Sequence, residues 1–200
     1  LSHWGHDFRP SYRQIKELRK SNNIPVLAVT ATATQKVRDD ITRELQFNNN
    51  ALMQIGMLDR PNLKYSVKQV LKKEDSLLEF LKNKQKSKGI IFCTTRKSVE
   101  MVYSLCRSFN PSVASYHGGL SDYERKKVQD NFFRGKLNWI VATNAFGMGV
   151  NLANLRFVLH FEMPGSLEQY IQETGRAGRD GKKAECLILY SLSDRKIHEF

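Results

Sequence analysis

Three short apolar runs constrain the fold of this chain more than anything else in it: Gly89-Ile90-Ile91-Phe92-Cys93-Thr94, Trp139-Ile140-Val141-Ala142-Thr143 and Phe157-Val158-Leu159-His160-Phe161. Each is continuous rather than alternating, the pattern of a strand covered on both faces. Strands are also expected over 25–30, 64–70, 112–116 and 184–190, with a further short one before residue 58. Amphipathic helical patterns lie between them, over 36–45, 74–84, 98–109, 121–134 and 166–174. Val37, Ile41 and Leu45 share a face of the first, and Leu77, Leu78 and Leu81 gather on the second. Ser121 with Glu124, and Ser166 with Gln169, have the spacing of capping boxes. Strands alternating with helices imply an α/β fold with a parallel sheet and crossover connections. In such sheets ligands sit at the carboxyl ends of the strands, which directs attention to the loops after Thr94, Thr143 and Phe161.

Asp59-Arg60-Pro61-Asn62 has turn chemistry, with Pro61 holding Arg60 extended, and marks an expected boundary. Residues 1–58 hold too few strands for a sheet of their own. They are expected to be the C-terminal part of a preceding domain, and residues 59–200 a nearly complete second one.

The 200 residues carry a formal charge of +12, which points to a polyanionic partner such as nucleic acid, a nucleotide or an acidic membrane surface. At 40% hydrophobic and 26% charged the chain is globular. No apolar run is long enough to cross a bilayer, so a membrane partner is not expected. Cys93, Cys106 and Cys186 are isolated, without C-x-x-C spacing. Neither a disulfide framework nor a zinc site is indicated, and a reducing, intracellular location fits.

Five polar segments carry candidate chemistry. In Gln172-Glu173-Thr174-Gly175-Arg176-Ala177-Gly178-Arg179-Asp180-Gly181, two arginines three apart would share a helix face, suited to gripping a nucleotide's terminal phosphate. The alternative is a solvated basic helix end. In Trp4-Gly5-His6-Asp7-Phe8-Arg9-Pro10-Ser11-Tyr12, aromatics among cations could stack bases, or Trp4, Phe8 and Tyr12 could form a buried stripe. Thr30 and Thr32 end a strand and open a helix, as phosphate contacts or as plain caps. Thr94, Thr95 and Arg96 stand where a strand's end could meet a phosphodiester backbone, with helix capping as the alternative. The loop Asn144-Ala145-Phe146-Gly147-Met148-Gly149-Val150-Asn151 has two close glycines, able to wrap a phosphate or merely to turn.

Taken in order, W-G-H-D-F-R-P, T-A-T-A, D-R-P-N-L, G-I-I-F-C, Y-H-G-G-L, V-A-T-N-A-F-G-M-G-V-N and Q-E-T-G-R-A-G-R-D-G resemble the RecQ family of superfamily 2 DNA helicases over essentially the whole chain. The resemblance implies a RecA-like (P-loop NTPase-like) helicase C-terminal domain over 59–200, preceded by the tail of another RecA-like domain over 1–58. It implies ATP-driven 3′ to 5′ unwinding of duplex DNA, with ATP and Mg2+ held between two such domains, in repair or recombination. A bacterial protein of this kind would act in the cytoplasm or nucleoid, a eukaryotic one in the nucleus. By resemblance, Trp4, Phe8 and Arg9 belong to a loop coupling single-stranded DNA to hydrolysis. Thr30 and Thr32 link the domains. Arg60, Thr94 and Arg96 meet the DNA backbone. Gly147, Gly149 and Asn151 sense nucleotide and DNA. Gln172, Arg176 and Arg179 form the last helicase motif, with Arg179 as arginine finger.

The sequence departs from the pattern in two places. Leu152 stands where the family usually has lysine. The chain also contains no G-x-x-x-x-G-K-[ST] phosphate loop and no D-E-A-H magnesium box. The expectation is therefore a fragment of a longer helicase, lacking the Mg2+ ligands and inactive alone, with the N-terminal RecA-like domain as its missing partner. Rival readings are a non-catalytic nucleic-acid-binding module and a superfamily 2 RNA helicase fragment.

Overall fold

A computed structural model describes residues 25–30, 34–48, 50–56, 59–146, 152–192 and 194. Contacts divide the chain into two compact units, Leu1–Leu58 and Asp59–Phe200. Among the expected site residues, Trp4, Phe8, Arg9, Thr32, Gly147, Gly149 and Asn151 lie outside the described residues.

In the first unit, α1 spans Gln35–Glu44, with the Thr34 side chain accepting from the Val37 N–H as N-cap. Leu45 is buried, while Val37 and Ile41 on the same face are half-buried. Gln46, at φ 50°, turns the chain out of the helix. The strand expected over 25–30 does not form, nor does the short one before residue 58. Leu27 and Val29 stand 86% and 83% exposed. A strand needs a ladder partner for its backbone groups, and among the described residues of this unit none is offered.

The second unit is a six-stranded parallel sheet with helices between the strands. Its elements run β1 (Leu63–Gln69), α2 (Lys73–Leu81), β2 (Gly89–Phe92), α3 (Arg96–Phe109), β3 (Val113–Tyr116), α4 (Asp122–Phe133), β4 (Trp139–Ala142), β5 (Phe157–His160), α5 (Leu167–Thr174) and β6 (Ala184–Tyr190). The strand order is β1-β6-β5-β2-β4-β3. All pairings are parallel, with Ile90 opposite Ile140 on one side and Val158 on the other.

Alternation along the strands feeds two cores. Ile91, Val141, Leu159 and Leu189 pack with Leu77 and Leu81 of α2 and with Val99, Val102 and Cys106 of α3. Ile90, Phe92, Ile140 and Val158 face the other way, onto Phe132 of α4, Phe146 and Leu155. All four residues of β2, β4 and β5 are buried, which is why these strands read as unbroken apolar runs. β1 is an edge strand with only Leu63 buried.

Serine and threonine caps set where helices start. Ser121 and Glu124 form the reciprocal capping box before α4. Thr95, not Ser98, caps α3 by accepting from the Ser98 N–H at 3.0 Å. Ser166 caps α5 through the Gln169 N–H, but the expected box is only half made. The Gln169 side-chain oxygen accepts from Gly165 N–H at 3.2 Å, and its amide donates to Glu173 at 3.0 Å.

Candidate functional site

The carboxyl ends of β2, β4 and β5 open onto one concavity of about 230 Å3, whose walls include Cys93, Thr94, Asn144, His160, Glu162 and Glu173. It lies where chain connections leave the sheet in opposite directions, the position that open α/β sheets use for ligands. Its floor is built from buried polar groups. His160, the last residue of β5, donates from Nε2 to Glu173 Oε2 at 2.7 Å. Gln169 holds the other oxygen of that carboxylate. Phe92 stacks on the His160 ring, with centroids 5.4 Å apart. Glu162, also buried, accepts from the Thr94 N–H at 3.0 Å. Sequence reasoning missed the His160–Glu173 pair. The available signal was a histidine inside an otherwise apolar strand, facing a glutamate on the covered side of α5. Two carboxylates make this floor unattractive to phosphate, and no lysine or arginine lines it.

The candidate arginines sit on two other features. On the first, α5 ends at Thr174 with Gly175 as C-cap, and the chain then turns rather than continuing helical. This corrects the expected geometry: Arg176 and Arg179 do not share a helix face. The chain tightens through Arg176 N–H to Glu173 C=O (3.3 Å) and Ala177 N–H to Thr174 C=O (2.9 Å), and reverses at Gly178, φ 56°. Gln172 and Arg179 are exposed, and Arg176 is half-buried. Arg179 Nε donates back to Gly175 C=O at 3.3 Å. Burial first, and then the charge of Arg179, push the Arg176 pKa down, with Glu173 opposing. A guanidinium so shifted is still cationic at neutral pH.

Long-range bonds fix this arginine turn. Gly178 N–H donates to Leu155 C=O and Asp180 N–H to Ala153 C=O. Arg156 Nη2 donates to both carboxylate oxygens of Asp180, at 2.7 Å each. Arg60 Nη2 donates to both Ala177 C=O and Gly178 C=O at 3.0 Å. Asn62 Nδ2 donates to Gly178 C=O (2.8 Å) and Lys182 C=O (2.9 Å). Arg60, expected beside the DNA backbone, is thus brought to the turn with Gln172, Arg176 and Arg179.

Gly178 meets two demands at once. Its φ is positive, and a Cβ there would stand 2.5 Å from Asn62 Nδ2 and 2.8 Å from Lys182 C=O. Gly181, at φ 76°, has open space around it. Gly178→Ala is therefore expected to cost about 1–3 kcal/mol from strain, with the clash added, and Gly181→Ala the backbone cost alone. Urea midpoints of the two variants measure the difference.

The second feature is the exposed edge after β2 and β3. Thr94 and Arg96 are exposed. The Arg96 guanidinium lies over Gly118 and Gly119, where built Cβ atoms would stand 3.5 and 3.4 Å from it. His117 fixes that glycine turn: Nδ1 accepts from Gly119 N–H at 3.0 Å, leaving Nε2 to donate to Glu100 at 2.8 Å. Threonine, arginine and a glycine turn gather on one sheet edge, donors and open backbone of the kind that sugar–phosphate contacts use. Thr30 is exposed and lies in the first unit.

The family model for the helicase conserved C-terminal domain matches residues 72–181, from the start of α2 through the arginine turn. Relatives match over nearly the whole chain. ATP-dependent DNA helicase RecQ of Haemophilus influenzae is 43% identical over 195 residues, 97% of this chain and 31% of its own length. RecQ of Bacillus subtilis is 42% identical over 202 residues, 100% of this chain and 34% of its own.

This chain belongs to the helicase conserved C-terminal domain family, in its RecQ branch.

A eukaryotic RecQ-branch relative, the ATP-dependent DNA helicase hus2/rqh1 of Schizosaccharomyces pombe, is 44% identical over 197 residues, 97% of this chain and 15% of its own length. The chain spans about a third of the length of its bacterial RecQ relatives. Solved helicase structures share the fold at lower identity. S. cerevisiae Dbp5, bound to RNA and ADP BeF3, superposes with a TM-score of 0.76 at 20% identity, over 96% of this chain and 52% of that one. A DEAD box protein from Methanococcus jannaschii gives 0.63 at 23%, over 84% and 45%. The parallel sheet is accordingly a RecA-like helicase fold.

Leu152, in place of the usual RecQ lysine, is partly buried against the core beneath β2 and β4. The substitution adds packing where a lysine would place a cation. Among the described residues no group of three His, Cys, Asp or Glu side chains could hold a metal ion. The three cysteines are free and buried. No helix among the described residues is long and apolar enough to cross a membrane.

Proposed function

We propose that this chain is part of a RecQ-type ATP-dependent DNA helicase, in which ATP hydrolysis drives 3′ to 5′ movement along single-stranded DNA and duplex unwinding during repair or recombination. The observation that carries the reading is the arginine turn: an exposed Arg179 and a half-buried Arg176, held by long-range bonds to the segments that lead into β1 and β5 of a RecA-like sheet. A pinned guanidinium is what a transferring γ-phosphate needs, because stabilisation requires donors already in place when charge develops.

In this reading ATP binds between the Asp59–Phe200 unit and an N-terminal RecA-like domain that brings the phosphate loop and the Mg2+ ligands. Magnesium held by that domain would neutralise the phosphates, and no described residue of this chain is assigned to it. Arg179 reaches the γ-phosphate as the arginine finger. Arg176 supports it from the half-buried position, and Gln172 orients groups around the phosphate. Thr94 and Arg96 hold the DNA backbone at the sheet edge. Trp4, Phe8 and Arg9 couple DNA to hydrolysis, Thr30 and Thr32 link the domains, and Gly147, Gly149 and Asn151 answer to both ligands. Residues 1–58 are the end of the first RecA-like domain and 59–200 the second. The helicase works inside the cell, where its DNA is.

Strand separation by the full-length protein tests this. Duplex DNA with a 3′ single-stranded tail is expected to be unwound when ATP is present, and 5′-tailed DNA and RNA duplexes left intact. Efficient unwinding of RNA alone would replace the DNA reading with an RNA helicase.

A further inference from the structure

The segment that enters the second unit does more than connect. Arg60, Pro61, Asn62 and Leu63 form a β-turn closed by Leu63 N–H to Arg60 C=O at 2.9 Å, with Pro61 at the position where its fixed φ favours such a turn. From this turn two side chains reach more than a hundred residues along the chain. Arg60 takes the carbonyls of Ala177 and Gly178, and Asn62 takes those of Gly178 and Lys182. Asn62 C=O also accepts from Ala184 N–H, so the pin is continuous with the start of the β1–β6 ladder. Two of the three pinned carbonyls, those of Ala177 and Gly178, lie between Arg176 and Arg179.

We propose that Arg60 and Asn62 are positioning residues for the arginine turn: they fix its carbonyls and so aim Arg179, and Arg60 does not act chiefly as a DNA contact. The proposal rests on the finger reading of Arg179. Three facts favour it over a phosphate contact for Arg60. One guanidinium nitrogen already serves two backbone acceptors within the same protein unit. The neutral Asn62 performs the same task beside it. And Gly178, where Asn62 approaches, leaves no room for a side chain that would push the pin away. Because the pin lies immediately after the boundary at residues 58 and 59, the path of the entering chain bears directly on the finger's aim.

The test uses the full-length helicase and measures ATP hydrolysis against single-stranded DNA concentration and salt. Arg60→Ala and Asn62→Ala are each expected to lower kcat at saturating DNA by about 10²-fold, the scale of a misplacement of about 1 Å. The DNA concentration for half-stimulation, and the salt slope of DNA binding, should not change. Combining either with Arg179→Ala should bring little further loss, because nothing remains to be aimed. If Arg60→Ala fails to fold, Asn62→Ala carries the same prediction without removing a charge. The proposal is overturned if Arg60→Ala keeps kcat while half-stimulation shifts and the salt slope falls by about 1, the signature of a lost phosphate contact. It is also overturned if the losses from Arg60→Ala and Arg179→Ala multiply. Retention of DNA-stimulated hydrolysis by Arg179→Ala itself is a separate result, and removes the finger reading on which the proposal stands.

Discussion

Full-length protein carrying Arg179→Ala is expected to lose about 10³–10⁵-fold in DNA-stimulated ATP hydrolysis, the range over which arginine fingers act. The size follows from where the side chain sits. Arg179 is exposed, and its Nε is anchored to Gly175 C=O, so the guanidinium is oriented by the turn rather than free to sweep. Binding of single-stranded DNA should be kept, because Thr94 and Arg96 lie on a different feature, after β2. Steady-state hydrolysis and DNA affinity, measured on the same preparation, separate the two. Arg179→Lys is expected to recover little, since an ammonium lacks the planar fork that grips two phosphate oxygens.

The largest expected stability effect lies elsewhere. Lys73, at the start of α2, donates to Phe161 C=O at 2.7 Å and to both oxygens of Asp194 at 2.6 and 2.7 Å. Its side chain is 9% exposed and that of Asp194 3%. Asp194 also accepts from Ser191 N–H, so the pair ties α2 and the end of β5 to the segment that follows β6. Lys73→Met strands a buried carboxylate and should destabilise the unit by about 3–5 kcal/mol, seen as a lower urea midpoint at unchanged slope. Lys73→Met with Asp194→Leu should recover most of that loss, because the cost lies in the unpaired charge rather than in the missing attraction. Equal instability of the single and double variants would show that the Phe161 bond dominates instead.

What could be read from the sequence, and what could not, divides along the range of the interactions. β2, β4 and β5 were legible because burial on both faces writes itself into consecutive residues such as Ile90-Ile91-Phe92. Helix starts were legible where a single side chain decides them, as Ser121 does with Glu124. The expected strand over 25–30 failed because Leu27 and Val29 have strand chemistry, but pairing depends on a partner that local sequence does not name. The arginines were singled out in sequence but misplaced on a helix. Gly175 ends α5, and the path beyond it is set by Arg60, Asn62, Leu155 and Ala153, partners that spacing cannot reveal. The same limit hid the His160–Glu173 pair beneath the site. Family resemblance supplied what spacing could not, the joint reading of Thr94, Arg96 and the arginine turn as parts of one machine.

The central claim is that this chain supplies the arginine half of a composite ATPase and none of the groups that hold ATP and magnesium. The most direct measurement is the rate of ATP hydrolysis by the 200-residue chain, with and without single-stranded DNA, beside that of the full-length protein. DNA-stimulated hydrolysis by the full-length protein and none by the 200-residue chain is the expected result. DNA-stimulated hydrolysis by the 200-residue chain alone would contradict it.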